Sequence, residues 1–76
     1  MCLAVPAKII DTDNYNAIID IMGLEGKVNV QLIESLKAGD YVLVHAGCAI
    51  QKIDKAYFEE LQKIFKSILD SEEKYE

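Results

Sequence analysis

The stretch Lys27-Val28-Asn29-Val30-Gln31-Leu32 alternates polar and apolar side chains, the period-two repeat of a strand whose successive residues point to opposite faces. It predicts a half-buried strand with Val28, Val30 and Leu32 on the buried face. Downstream, Leu36-Lys37-Ala38-Gly39-Asp40 supplies a turn before Tyr41-Val42-Leu43-Val44-His45, a strongly β-prone run. Gly47 interrupts the pattern, and Ala49 to Ile53 makes a further strand. Upstream, Leu3 to Asp11 is rich in Val, Ile and Leu. Pro6 has no N–H for a ladder and biases Val5 to an extended conformation, so this strand should begin at an edge or with a bulge. Asp11-Thr12-Asp13-Asn14 is a cluster of turn formers, Ala17 to Met22 is another apolar run, and Gly23 and Gly26 bracket a short connection. Five short strands separated by turns predict a mainly β chain folded as a small, closed or partly open barrel, which leaves few edges exposed. A five-stranded OB-like barrel is the first choice and an SH3-like barrel the second.

The period changes at Asp54, a good helix N-cap. Tyr57, Leu61, Ile64, Phe65 and Ile68 recur at helical intervals while Glu59, Glu60, Lys63 and Lys66 take the other side, so an amphipathic helix closes the chain. The exposed i,i+4 pair Glu59–Lys63 is worth only ~0.3 to 0.5 kcal/mol, which leaves the apolar stripe to stabilise the helix by packing on the barrel or on a partner. The chain therefore divides into a barrel over residues 1–53 that carries an N-terminal cysteine, a helix over 54–70, and an acidic tail over 71–76 that is expected to fray.

At 76 residues the chain is about half the ~150 residues that serve as a prior for one domain. Domains this small bury only ~60% of their unfolded surface, which leaves little room for an enclosed pocket holding substrate and a catalytic constellation. A self-contained enzyme is not expected. The net charge is −5, with no arginine among the eight positive residues, and the tail from Asp70 onward holds −3 of it. Nucleic-acid binders present a basic patch that exchanges counterions with phosphates, and nothing here supplies one. No apolar run approaches the ~18 residues of a membrane span, and Met1-Cys2-Leu3-Ala4-Val5-Pro6 lacks the basic region and long apolar core of a signal peptide. The expected location is cytoplasmic, with removal of Met1 left open.

The reactive groups are Cys2, Cys48, His45 and scattered carboxylates. Two cysteines and one histidine fall short of the four ligands of a closed zinc site, so any such site must be completed by another protein. Cys2 stands at a chain end, where loss of Met1 would add a free amine to the same residue; as a thiolate it is a soft ligand for iron, zinc or copper. The structural alternative is an incidental residue or a cap on the core edge. His45 ends a strand, where its ring could bind a metal or position the Cys2 thiol, or simply bond to backbone or water. Cys48, in the apolar run Gly47-Cys48-Ala49-Ile50, reads as a small buried hydrophobe. A Cys2–Cys48 disulfide requires the two Cα atoms to lie within bridging distance and is disfavoured in the cytosol. Met22, Tyr15, Tyr41, Phe58 and Phe65 are read as core or interface, since base stacking needs a positive groove beside the aromatics.

The opening Met1-Cys2-Leu3-Ala4-Val5-Pro6-Ala7-Lys8-Ile9, together with Gly39-Asp40-Tyr41-Val42-Leu43-Val44-His45-Ala46-Gly47 and the following Ala49-Ile50, closely resembles the HypC/HupF family of nickel-iron hydrogenase maturation chaperones. The resemblance spans essentially the whole chain, and a cysteine fixed directly after the initiator methionine makes its first motif specific. It implies an OB-like chaperone, not an enzyme, that pairs with the iron-sulfur protein HypD. On that complex an Fe(CN)2(CO) group is assembled, with cyanide delivered through HypE and HypF, and is then carried to the hydrogenase large-subunit precursor. No permanently bound cofactor is implied. Cys2 carries over as the thiol that binds the iron moiety, shared with the partner, and His45 as a second site residue. Two positions depart from the family pattern: Ala7 stands where glycine is common, and Cys48 where an aromatic residue is usual. The second leaves open an additional ligand or a redox partner for Cys2.

Two other classes compete. A barrel of this kind could bind single-stranded nucleic acid, which salt-sensitive oligonucleotide binding would reveal. A thiol redox protein using Cys2 and Cys48 would be revealed by their separation and reduction potential.

Overall fold

The computed structural model describes residues 4–73. Five strands, β1 (Val5–Thr12), β2 (Asn16–Ile21), β3 (Leu24–Asn29), β4 (Tyr41–His45) and β5 (Cys48–Ile53), are followed by the helix α1 (Lys55–Glu73). The strands close into a barrel in the order β1-β2-β3-β5-β4, with every pairing antiparallel except β3 with β5. This is the expected five-stranded OB-like barrel with a C-terminal helix.

β1 makes closure possible because it serves two partners in turn. Its first half, Val5 to Lys8, pairs with Val44 to Tyr41 of β4, and from Lys8 onward it pairs with β2. A bulge between Ile9 and Asp11 bends it at the changeover, as bulges do where a sheet must curl. Pro6 sits where β1 has a partner on one side only, so its missing donor breaks no ladder bond. Ala7, Ile9, Ala17, Ile19, Val28, Val30, Val42, Val44 and Ala49 form the core, with the strand residues alternating inward as the period of two requires.

Three expectations are corrected. The strand read over Lys27 to Leu32 runs instead over Leu24–Asn29. It stops there because the Asn29 side-chain oxygen accepts the Gln31 N–H at 2.9 Å, an Asx turn that draws the backbone out of the ladder. Val28 and Val30 are buried, but Leu32 is 69% exposed, and Ile33 and Leu36 pack against the core in its place. The connection between β2 and β3 is the pair Met22-Gly23, with φ of 49° and 94°. Two positive φ values make a type I′ turn, which matches the twist of the flanking strands, and Gly26 is thereby free to pair with Ile19 inside β3. Tyr15, read as core or interface, is 60% exposed and lies outside the strands, which removes the core alternative.

Asp54 caps α1 as expected, its Oδ1 accepting the Tyr57 N–H at 2.8 Å. The residue that seats the helix is Phe58, 8% exposed and stacked on Tyr41 with ring centroids 4.3 Å apart. Tyr57, Ile64 and Ile68 of the expected stripe are about half exposed, while Leu61 and Phe65 are half-buried. Nineteen helical residues span about 28 Å, whereas the two shorter dimensions of the molecule are 23 and 21 Å. Among the described residues the ion pair formed is Lys52–Asp40 at 3.3 Å, not Glu59–Lys63.

Candidate functional site

The β4–β5 hairpin turns on Ala46-Gly47, with φ of 53° and 81°, a second type I′ turn. His45 and Cys48 are the pair that closes it. Directly opposed residues share a face with Cβ atoms roughly 4.5 to 5.5 Å apart. Val44 and Ala49, one step earlier, form a buried pair, so alternation turns His45 and Cys48 to the outer side of the rim. This corrects the reading of Cys48 as a buried hydrophobe: it is a half-buried free thiol. His45 is also half-buried, and its imidazole makes no hydrogen bond with the described residues.

Two further strands fix this hairpin. Cys48 is paired with Asn29 at the end of β3, and the Asn29 N–H donates to the Gly47 carbonyl at 2.9 Å. Asn29 is in turn paired with Asn16 of β2, so one row across the sheet carries Asn16, Asn29, Cys48 and His45. On the other flank, Val5 is paired with Val44, which brings the start of β1 beside His45. Cys2 lies outside the described residues.

The Gly39-Asp40 step that leads into β4 has a structural task. Gly39, at φ 95°, donates its N–H to the Ile9 carbonyl at 2.8 Å, and the Asp40 carbonyl accepts the Ile9 N–H at 2.8 Å. One Asp40 carboxylate oxygen accepts the Lys37 N–H at 2.9 Å and pairs with Lys52. Burial works to raise the pKa of this group, but the Lys37 N–H and the Lys52 ammonium outweigh it and hold the carboxyl below its ordinary value. Asp40 therefore locks the entry to β4 against β5 and the preceding loop.

A shallow polar depression on β1, β2 and β3 is lined by Asp11, Thr12, Asp13, Asn16, Ile18 and Lys27. Its acids are occupied by the turn. Asp13 Oδ1 accepts the N–H groups of Tyr15 and Asn16, each at 2.8 Å, and these two bonds hold its carboxyl below the ordinary range; Asp11 Oδ1 accepts the Thr12 N–H. No group of three potential metal ligands occurs among the described residues. Nor is any described helix long and apolar enough to cross a membrane.

Sequence reasoning singled out His45 and Cys48 separately and did not bring them together. The available signal was Ala46-Gly47 between two β-prone runs: a two-residue hairpin loop makes its flanking residues cross-strand neighbours.

The chain was compared with known proteins. The HupF/HypC family profile matches residues 1–65. The chain is 47% identical over 57 residues, 74% of its length and 68% of the relative's, to the hydrogenase maturation factor HypC of Azotobacter chroococcum. It is 37% identical over 73 residues, covering 93% of this chain and 85% of the other, to that of Helicobacter hepaticus. With the Escherichia coli factor the identity is 30% over 78 residues, covering 95% and 87%.

Proposed function

Because the chain belongs to the HupF/HypC family of hydrogenase maturation factors, we propose that it is the assembly chaperone that, in the cytoplasm, pairs with HypD and carries the Fe(CN)2(CO) group to the hydrogenase large-subunit precursor. HypE and HypF act upstream, through HypD. The observation that carries this reading is the family match across residues 1–65, a span that includes Cys2.

In this reading the Cys2 thiolate is the ligand for the iron cargo, a soft donor suited to an iron centre with strong-field ligands. His45, next to the start of β1 along the Val5–Val44 register, positions that thiolate or adds a nitrogen ligand. The remaining ligands come from the partner. A barrel of this size holds one edge of a shared site, and transfer requires a cargo that is never fully enclosed.

The test is to purify the chain with HypD under anaerobic conditions and record the infrared spectrum. Cyanide and carbonyl stretches are expected in the wild-type complex. They should be absent with Cys2→Ala, which also weakens the HypD complex while leaving the unfolding midpoint unchanged. Hydrogenase maturation at the wild-type level with Cys2→Ala would refute the assignment of that thiol, and an intact, active complex without the stretches would refute iron carriage.

A further inference from the structure

The barrel closes between β3 and β5 through the one pair Asn29–Cys48, and the rest of β3 is paired on one side only, with β2. The helix α1 packs on β1 and β4, so it does not cover the open side. We infer that this edge is a docking surface for a second copy of the chain, the two β3 strands pairing antiparallel about a two-fold axis at Gly26. The inference is independent of the proposed function and uses none of the residues assigned to it.

Register decides which backbone groups face outward. Met22-Gly23 is a two-residue turn, so Ile21 and Leu24, the pair that closes it, exchange backbone bonds. Alternation then turns the polar groups of Leu24, Gly26 and Val28 toward β2 and those of Glu25, Lys27 and Asn29 away from it. Asn29 bears out this parity, since its N–H donates across the open side to the Gly47 carbonyl at 2.9 Å. Among the described residues no strand or loop bonds the outward N–H and C=O groups of Glu25 and Lys27. Such a row is a template for a further strand. Leu24 to Lys27 are exposed, and Leu24 is 76% so.

Three features fit a second copy better than any other strand. Antiparallel pairing about Gly26 sets Glu25 opposite Lys27 of the second copy, and Lys27 opposite its Glu25. Each such pair exchanges both backbone bonds and adds an opposite-charge contact on the outer face. A slip of two residues either way, which keeps the faces, sets Glu25 against Glu25 or Lys27 against Lys27, and like charges directly opposed are unfavourable. The charges thus select one register. Second, Glu25 already stands opposite Asp20 of β2, an acid beside an acid, and the incoming Lys27 takes the other flank of Glu25. Third, nothing within one copy calls for glycine at 26: its φ is not in the left-handed region, and an added Cβ would meet nothing within 4 Å. On the two-fold axis it faces its own copy, and a glycine inside a strand marks a place where another backbone comes close. Leu24 then lies against Val28 of the second copy, which covers it. An interface made by one short strand from each copy falls below the ~1,000 Å² of a stable complex, so the association is weak.

The experiment is sedimentation velocity of the full chain, kept reduced so that no disulfide forms, over a concentration series reaching about 1 mM, the range of weak association. The wild type is expected to dimerise reversibly. Lys27→Glu and Glu25→Lys should each weaken the dimer by about tenfold or more, because both cross-strand pairs turn from attractive to repulsive. The double swap Glu25→Lys/Lys27→Glu should restore it, and an equimolar mixture of the two single variants should associate more tightly than either alone. The single variants move the net charge in opposite directions, so a loss common to both isolates the pairing. Far-UV circular dichroism checks the fold of each. Amide exchange at Glu25 and Lys27 should slow as concentration rises, since these N–H groups are bonded only in the dimer. A chain that stays monomeric over the series, charge variants that dimerise as the wild type does, or a mixture of folded variants that fails to associate would overturn the inference. So would protection of these two amides on adding HypD to a chain that is monomeric by itself, which would give the edge to a different protein.

Discussion

Replacing Phe58 with alanine should detach α1 and leave the barrel standing. Phe58 is 8% exposed and is the one residue of the helix in the buried class among those whose exposure is described; its ring lies 4.3 Å from that of Tyr41. A phenylalanine buries ~150 to 250 Å². Burying such a side chain is worth ~1.5 to 3 kcal/mol, and with the ~0.5 to 1.5 kcal/mol of the aromatic pair its loss amounts to about 2 to 4.5 kcal/mol, overlapping the ~3 to 5 kcal/mol measured for Phe→Ala in cores. Such a loss exceeds what the half-exposed Tyr57, Ile64 and Ile68 can restore. A helix released from its sheet is only marginally stable in water at this length. Hydrogen exchange should therefore show protection lost across Lys55 to Glu73, while amides of the closed β1–β4 ladder keep theirs. Retained protection in the helix would mean that Leu61 and Phe65 hold it without Phe58. Simultaneous loss in the barrel would mean that helix and barrel are one cooperative unit.

Two further predictions concern the turns. Met22→Asn should raise the denaturation midpoint with an unchanged m-value, by about 1 kcal/mol, because Met22 adopts φ 49° in a type I′ turn and asparagine tolerates that conformation where most L-residues do not; an unchanged midpoint would refute the claim of strain. Asp13 and Asp40 both have pKa values lowered in the folded state, so each contributes stability that is present above the ordinary carboxylate pKa of ~3.9 and lost as pH falls through the lower folded value. Stability should decline with falling pH from about pH 4 downward, and Asp40→Asn should reduce that slope. An equal slope in the variant would show that the bonds from Lys37 and Lys52 do not couple to protonation.

The barrel was legible because its inward positions repeat with the period of a strand. Val28 and Val30 were placed correctly from alternation alone, and Asp54 from its capping chemistry. Alternation failed where a side chain intercepted the backbone. Val28, Val30 and Leu32 continue one pattern, yet the Asn29 carboxamide bonds the Gln31 N–H and the strand ends before the pattern does. The helix stripe was read on a slightly wrong face because periodicity finds an apolar side but not which of its residues meets the sheet. That choice was made by Tyr41, which takes Phe58. His45 and Cys48 were each found by their chemistry, whereas their pairing emerged only from the register, a long-range property that a local pattern does not carry.

The core explains why any chemistry must sit on the rim. Its members are alanines, valines and isoleucines, the largest fully buried being Ile9, Ile19 and Val42. Small barrels are filled by such side chains, and a filled interior leaves no room for a bound group. A rim position needs strands from several directions to hold it, and the barrel provides this where β3 meets β5 at the Asn29–Cys48 pair, one step from His45 and, through Val44, from the start of β1. The two hairpin side chains are held by three strands while their outer side stays open to a partner. The proposed carrier role, in which a group is first received and then given up, calls for that combination: side chains fixed from one side and left open on the other.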